Sequence, residues 1–415
     1  MKNFLKEIEV AKNNLKKVVK KTPLELCERL SKKYQANIYF KREDLQKVRS
    51  FKIRGAFNKI SQLNDEERKK GVVTASAGNH AQGVAFSCSY LKIKGTIFMP
   101  KTTPLQKISR VKYFGESYIK VVLEGESYDE ASFFAKEYAK KTNSIYIHAF
   151  DDEKVIAGQA TIGEEIYEQL DGNIDYVIVP IGGGGLISGI SLSLKSKDEN
   201  IKIVGVESKG TQSMNLALKN NSPISLESID PFCDGIAVKK VGSITYEITK
   251  KFVDKTLVVE EGKIATEMID LFQNEGIVIE PSSAITIAAL DFLEKEIKGK
   301  NVVCVISGGN FDLLRYSEIL EKSLVYQGLK HYFLIEFAQK PGQLKKFVNN
   351  ILGPNDDIVL FEYIKKNNKE KGPALVGIEL SDKNDFDKII KNLKKHQFNY
   401  QIISFNDLLY KYLIL

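Results

Sequence analysis

The stretch VIVPIGGGGLISGI, residues 177–190, decides the fold class. Val177 to Pro180 form a short apolar run that reads as a buried strand. Gly182, Gly183, Gly184 and Gly185 follow, and Leu186 and Ile187 then open an apolar helix. One glycine would serve a tight strand-to-helix turn. Four in a row also let backbone N–H groups converge on one concavity at a helix N-terminus, which suits a phosphate. Two familiar phosphate loops do not fit. Ser188 stands where G-x-G-x-x-G needs its last glycine, and Ile190, not lysine, follows Gly189.

Working outward, the same alternation of strand and helix runs to about residue 310. Strand-like runs are GVVTASA (71–77), GTIFMP (95–100), YIKVV (118–122), SIYIHAF (144–150), DYVIVPIGGGG (175–185), IKIVGVES (201–208), TLVVE (256–260) and NVVCVISGGN (301–310). Helical stretches such as DEASFFAKEYAKKT (129–142) and KIATEMIDLFQNEG (263–276) lie between them. Before them, residues 5–19 space Leu5, Ile8, Leu15, Val18 and Val19 close to a helical period, ending at Pro23. NIYFKRED (37–44) reads as a strand and SFKIRGAFNKISQL (50–63) as a helix opening behind Ser50. The pattern predicts an α/β fold with parallel strands and helices on both faces, binding ligands at the strands' carboxyl ends.

A second pattern begins near residue 330. HYFLIEFA (331–338) is a strand, PGQLKKFVNNIL (341–352) a helix, and DDIVLFEYIKK (356–366) and PALVGIEL (373–380) are strands. DKNDFDKIIKNLKKH (382–396) is a helix and YQIISF (400–405) a last strand. The order βαββαβ is the ferredoxin-like unit. The predicted domains are 1–325 and 326–415, joined within EKSLVYQGLK (321–330).

Composition narrows the function. The formal charge of +8 is spread along 415 residues without a basic patch, so a nucleic-acid partner is not indicated. Cys27, Cys88, Cys233 and Cys304 are widely scattered, and so are the four histidines, arguing against a disulfide framework or a zinc site. The charged N-terminus is no signal peptide and no run of about 18 apolar residues occurs. A cytoplasmic protein is expected.

RSFKIRGA (49–56) sets Lys52 in an apolar frame of Phe51 and Ile53. Desolvation there would lower its pKa and make it an amine. A lysine opening a helix, stem on the core and head in water, satisfies the same pattern. TASAGNHAQG (74–83) offers small residues, Ser76, Ala77 and Gly78, whose backbone N–H groups and the Ser76 hydroxyl could close on a carboxylate, while Asn79 adds an amide before the helix opened by His80. SGGN offers Ser307 at another strand exit. All of these exits fall, on this reading, along one parallel sheet. A reactive lysine, a phosphate cradle, a carboxylate loop and a hydroxyl together are what a pyridoxal phosphate enzyme acting on an amino acid needs.

KREDLQKVRSFKIRGA, TASAGNHAQGVA, IGGGGLISG and VISGGN resemble the motifs of the threonine dehydratase (threonine ammonia-lyase) family, of the tryptophan-synthase-β fold type with two open α/β subdomains. GLKHYFLIEFAQKPGQLKKFVNNILGPNDDI and GPALVGIEL are similar to the single ACT-like regulatory domain of the short biosynthetic form. The resemblance covers nearly the whole chain. It implies pyridoxal 5'-phosphate as cofactor, attached at Lys52 and held by Asn79 at its 3'-oxygen, by Gly182 to Leu186 at its phosphate and by Ser307 at its ring nitrogen. Ser76, Ala77, Gly78, Asn79 and His80 would take the carboxylate of L-threonine. It also implies isoleucine as effector at the C-terminal domain and a homotetramer. Serine racemases of this fold carry a serine where this chain has Ala77. They also bind a cation through a glutamate and a following aspartate, whereas Glu207 has no such aspartate after it. Neither racemisation nor a metal is therefore expected. Rivals are a serine-preferring dehydratase, a β-replacement synthase and a non-catalytic amino-acid sensor, though a sensor should have lost at least one of these motifs.

Overall fold

The computed structural model describes residues 2–363, 370–404 and 408–413. Residues 364–366 of the expected DDIVLFEYIKK strand, and Phe405 of YQIISF, lie outside the described residues. The chain forms two compact units, 1–311 and 312–415.

In the first unit the strands are β1 (Leu24–Leu26), β2 (Asn37–Arg42), β3 (Val72–Ala75), β4 (Gly95–Met99), β5 (Ile119–Leu123), β6 (Ile145–Tyr146), β7 (Tyr176–Pro180), β8 (Lys202–Ser208), β9 (Lys255–Val259) and β10 (Asn301–Ile306). They make two sheets, where the strand pattern alone suggested one and the family resemblance implied two open subdomains. The larger has the order β1-β2-β10-β7-β8-β9 and the smaller β5-β4-β3-β6. Every neighbour pair is parallel except β1 with β2. Valine and isoleucine suit strands covered on both sides. Val177, Val179, Ile203, Val303 and Val305 of the large sheet are buried against Ile162, Ile166, Ile187 and Ile190 of the flanking helices. The small sheet buries Val72 and Ile97 with Val84, Cys88 and Val111.

The strand expected over 144–150 stops at Tyr146. Ile147 still donates to the Val73 carbonyl at 2.8 Å. His148 Nδ1 then accepts the N–H groups of Phe150 (3.3 Å) and Asp151 (2.8 Å), which turns the backbone out of the ladder. The helix expected behind Ser50 begins at Lys52, because Ser50 instead bridges Gly308 across to the end of β10.

The second unit holds β11 (Lys330–Ala338), β12 (Asp357–Tyr363), β13 (Lys371–Glu379) and β14 (Asn399–Ile403), antiparallel throughout in the order β12-β13-β11-β14. With helices Gln343–Ile351 and Asp385–Lys395 this is the ferredoxin-like unit that the sequence indicates. A helix not foreseen, Leu408–Leu413, follows β14. The division also falls earlier than the expected 325/326. Helix Tyr316–Gln327 belongs to the second unit, where Glu321 pairs with Lys330 at 2.7 Å and accepts the Tyr410 hydroxyl at 2.9 Å. Val325 packs there with Tyr332, Leu375, Ile403 and Tyr410.

Candidate active site

Lys52 stands at the start of helix Lys52–Ser61, delivered there by the end of β10: the Phe51 N–H donates to the Ser307 carbonyl at 3.0 Å. Arg54, fully buried, anchors the same helix. Its guanidinium takes both oxygens of Glu43 (2.7 and 2.8 Å) and both of Glu165 (2.7 and 2.9 Å). Lys41 completes a charge-neutral quartet by donating to Glu165 at 2.6 Å. Helix Glu153–Gln169, which carries Glu165, crosses close by: a Cβ on Gly158 would lie 2.6 Å from the Arg54 carbonyl oxygen and 2.7 Å from Gly55 Cα. Helix Asn79–Leu91 approaches as tightly, with Gly83 facing the Lys52 carbonyl group.

Three elements therefore fix the lysine backbone. Its Nζ donates to the Ala149 carbonyl at 3.0 Å and lies 5.1 Å from the Phe51 ring centre. Burial pushes its pKa down to about 8, against an opposing pull from Glu280. Burial brings Lys52 closer to the neutral amine than a solvated lysine, while below pH 8 most of it still carries its proton.

The glycine run lies between β7 and helix Gly185–Lys197. A Cβ on Gly183 would fall within the Phe150 ring, and one on Gly182 would sit 2.9 Å from Ile236 Cα. Gly184 has φ +93°. Thr245 Oγ1 donates to the Gly183 carbonyl at 2.6 Å, turning that oxygen away and fixing the loop. The first N–H groups of the following helix have no intrahelical acceptor and form the cradle.

From the smaller sheet, the loop after β3 brings Ser76, Ala77 and Gly78 to the start of helix Asn79–Leu91, where Gly78 N–H donates to Ser76 Oγ at 3.2 Å. A Cβ on Gly78 would meet nothing within 4 Å, so this loop borders open space. His80 is buried, its Nε2 3.2 Å from the Ile147 carbonyl oxygen. Burial and then the Lys52 charge push its pKa down to about 3. It is a neutral imidazole donating through Nε2, with Nδ1 lacking a hydrogen-bond partner. Asn79 reaches across to the larger sheet. Its Nδ2 lies 3.0 Å from both oxygens of Glu280 and its Oδ1 accepts from Asn310 at 2.7 Å.

Ser307, only 2% exposed, ends β10 with its hydroxyl 3.1 Å from that of Ser283. Its partners are neutral, the Ser283 hydroxyl and, at 3.5 Å, the Ser282 carbonyl oxygen. The sequence reading missed Glu280, Ser283, Ala149 and Phe150. The only local sign of Glu280 is an acidic residue before Pro281 at a helix start. Glu207, weighed as a cation ligand, instead accepts the N–H groups of Met214 (2.8 Å) and Asn215 (2.7 Å), and burial raises its pKa to about 8. Among the described residues no group of three or more His, Cys, Asp or Glu side chains could hold a metal.

A depressed-pKa amine, a glycine cradle that side chains would fill, an amide and a hydroxyl converge between two parallel sheets. This donor set is of the kind that would hold pyridoxal phosphate, with Lys52 as its attachment point, Gly182 to Leu186 at its phosphate, and Asn79 and Ser307 at its ring. Residues 15–308 match the family model of pyridoxal-phosphate-dependent enzymes, and fold and site together define that class. Residues 321–413 match the C-terminal regulatory domain of threonine dehydratase. The chain is 53% identical to the biosynthetic L-threonine dehydratase of Lactococcus lactis and 51% to that of Halalkalibacterium halodurans, covering 99% of each and 99% of itself. It belongs to the biosynthetic threonine dehydratase family. Among solved structures, processed threonine deaminase isoform 2 of Solanum lycopersicum superposes with a TM-score of 0.74 at 40% identity, over 78% of this chain and 94% of that one. Maize serine racemase superposes at 0.71 with 32% identity, over 77% and 98%.

Proposed function

We propose that the chain catalyses the α,β-elimination of L-threonine to 2-oxobutanoate and ammonia, the first step of isoleucine biosynthesis. The observation that carries the reading is the half-buried Lys52 amine, its pKa depressed to about 8 beside the glycine cradle, in a chain whose full-length relatives are threonine dehydratases. Bound pyridoxal phosphate supplies the electron sink for the pair left when the α-C–H bond breaks. The protein does the rest. The Ser76–His80 loop holds the substrate carboxylate with backbone N–H groups and the Ser76 hydroxyl, fixing the α-carbon. The neutral Lys52 amine removes the α-proton as general base. The β-hydroxyl leaves as water with the proton that Lys52 took from the α-carbon, which restores the neutral amine, and hydrolysis of the product enamine's imine tautomer yields the oxo acid and ammonia.

Ser307 offers the ring nitrogen a neutral hydroxyl, which favours prompt loss of the β-group over a long-lived carbanion. Ala77 brings no acid or base to the opposite face, which supports elimination over racemisation. The ferredoxin-like unit fits an effector role for isoleucine, with Gly342, at φ +84°, opening helix Gln343–Ile351 as a carboxylate site. A homotetramer in the cytoplasm accords with the family; among the described residues no helix is long and apolar enough to cross a membrane.

Steady-state assays with L-threonine, L-serine and O-acetylserine test the proposal. A kcat/KM for threonine exceeding that for serine, with 2-oxobutanoate as product, supports it. Turnover of O-acetylserine with an added nucleophile, and none of threonine, would assign a synthase instead.

A further inference from the structure

Glu280 has no part in the chemistry above, yet its carboxyl lies where the two sheets' loops meet. It is 3% exposed and precedes helix Pro281–Ala288. Its oxygens are equidistant, at 3.0 Å, from Asn79 Nδ2, and Oε1 also accepts the Ser282 hydroxyl at 2.6 Å. The Asn310 backbone N–H is a further donor. The loop after β10 lies against it, since a Cβ on Gly308 would stand 2.7 Å from Oε1. All these partners donate, which suits a carboxylate that only accepts.

Two oxygens at equal distance from one nitrogen share a single N–H of the amide. The Asn79 carbonyl oxygen is taken by Asn310, whose Nδ2 is itself held by the Val48 carbonyl at 2.8 Å. Both ends of the Asn79 amide are thus fixed by protein groups, and one N–H remains for a ligand. We propose that Glu280 is a positioning residue for the cofactor: its ionised carboxylate orients the Asn79 amide so that the remaining N–H meets the oxygen substituent of the pyridine ring. The inference rests on the assignment of Asn79 as partner of that oxygen.

Protonation would put an O–H where Asn79 now donates, and the shared N–H would lose an acceptor. Burial holds the Glu280 pKa up at about 7, so the change falls in the working range. The charged groups facing it are Asp234, which pushes it further up, and Lys52, whose cation favours the carboxylate. The orienting bond is present above pH 7 and lost as pH falls through it.

Apoprotein titrated with pyridoxal phosphate, followed by absorbance between pH 6 and 8.5, gives the cofactor Kd of wild type, Glu280→Gln, Asn79→Ala and the double variant. The ratio of Glu280→Gln to wild type cancels the titration of the cofactor phosphate, and the part that acts through Lys52, whose pKa the Glu280 charge raises, is read from the same ratio in the Asn79→Ala background. It should be about tenfold at pH 8.5, the worth of a hydrogen bond to a charged group, and fall towards one at pH 6. In the Asn79→Ala background the tenfold loss of affinity on Glu280→Gln at pH 8.5 should disappear, leaving only what the Glu280 charge does through Lys52. Glu280→Asp, which keeps the charge, should keep the pH dependence, and circular dichroism checks that each variant is folded. A ratio constant with pH, or additive effects of the two substitutions, overturns the positioning role alone. An Asn79→Ala variant that binds the cofactor as tightly as wild type overturns the Asn79 assignment and this inference with it.

Discussion

The environment of Lys52 is poor for an ammonium ion, which suits its proposed role and has a thermodynamic consequence. Its pKa falls from 10.5 to about 8 through burial. Below pH 8 the folded apoprotein must carry a buried cation that the unfolded chain leaves in water. The penalty is full below pH 8 and fades as pH rises towards 10.5. Lys52→Met should therefore abolish turnover while stabilising the apoprotein at pH 7 by on the order of 1–3 kcal/mol. Urea unfolding at pH 7 and pH 10.5 measures this, and an equal gain at both pH values would contradict the cause. Lys52→Ala should lose both turnover and the cofactor absorbance; retention of both would remove Lys52 from the mechanism. The residues legible in the sequence are those whose chemistry is written locally: Lys52 between apolar neighbours, four adjacent glycines, Asn79 after small residues. Glu280 was not legible, because its partner Asn79 is 201 residues away and only the fold brings them together. His80 was placed at the carboxylate loop, but its side chain is a neutral donor to Ile147, so on the proposed reading the loop's backbone N–H groups and the Ser76 hydroxyl take the anion.

At the level of elements, the helix carrying Lys52 is held by packing and charge, and the two can be separated by substitution. Arg54→Met would leave Glu43 and Glu165 buried beside Lys41 alone. Uncompensated buried charge of this kind costs about 3–5 kcal/mol, so thermal unfolding should show a large loss; a change below about 1 kcal/mol would mean the quartet contributes little. Gly158→Ala pushes a methyl group onto the Arg54 carbonyl and Gly55 Cα, both backbone atoms that cannot swing aside. Overpacking should cost about 1–3 kcal/mol. If it moves Lys52, kcat should fall with little change in stability of the second unit. Individual strands were readable because runs such as IKIVGVES and NVVCVIS are short, β-branched and bounded by glycine. Their division into two sheets was not legible from the strands themselves and came only with the family resemblance. Pairing is set by long-range neighbours, as when β10 lies between β2 and β7, and no local pattern says that β3 joins β4 and β6 instead.

For the molecule as a whole the question is how the second unit acts on the first. Its ferredoxin-like pattern was plain from alternating strands and two amphipathic helices. Its beginning was not, because helix Tyr316–Gln327 carries the same helical pattern whichever unit it packs against. The structure assigns that helix through Glu321, Lys330 and Tyr410, which sets the useful end point for dissection at Phe311. Isoleucine should inhibit the intact chain, with a coupling of about 1–3 kcal/mol between effector and substrate sites. Linkage makes this reciprocal in binding: a non-reacting threonine analogue should weaken isoleucine binding by the same factor that isoleucine weakens the analogue. Calorimetric titration of each ligand, alone and in the presence of the other, gives the two factors. A chain ending at Phe311 contains Lys52, Asn79, the glycine loop and Ser307 with their partners Glu280, Ser283 and Asn310, so it should turn over threonine. It should no longer respond to isoleucine, since Gly342 and the sheet β11 to β14 are gone. If that shortened chain, folded and active, were inhibited as strongly as the full-length protein, the effector site would have to lie in the first unit, and the ferredoxin-like unit would need another role.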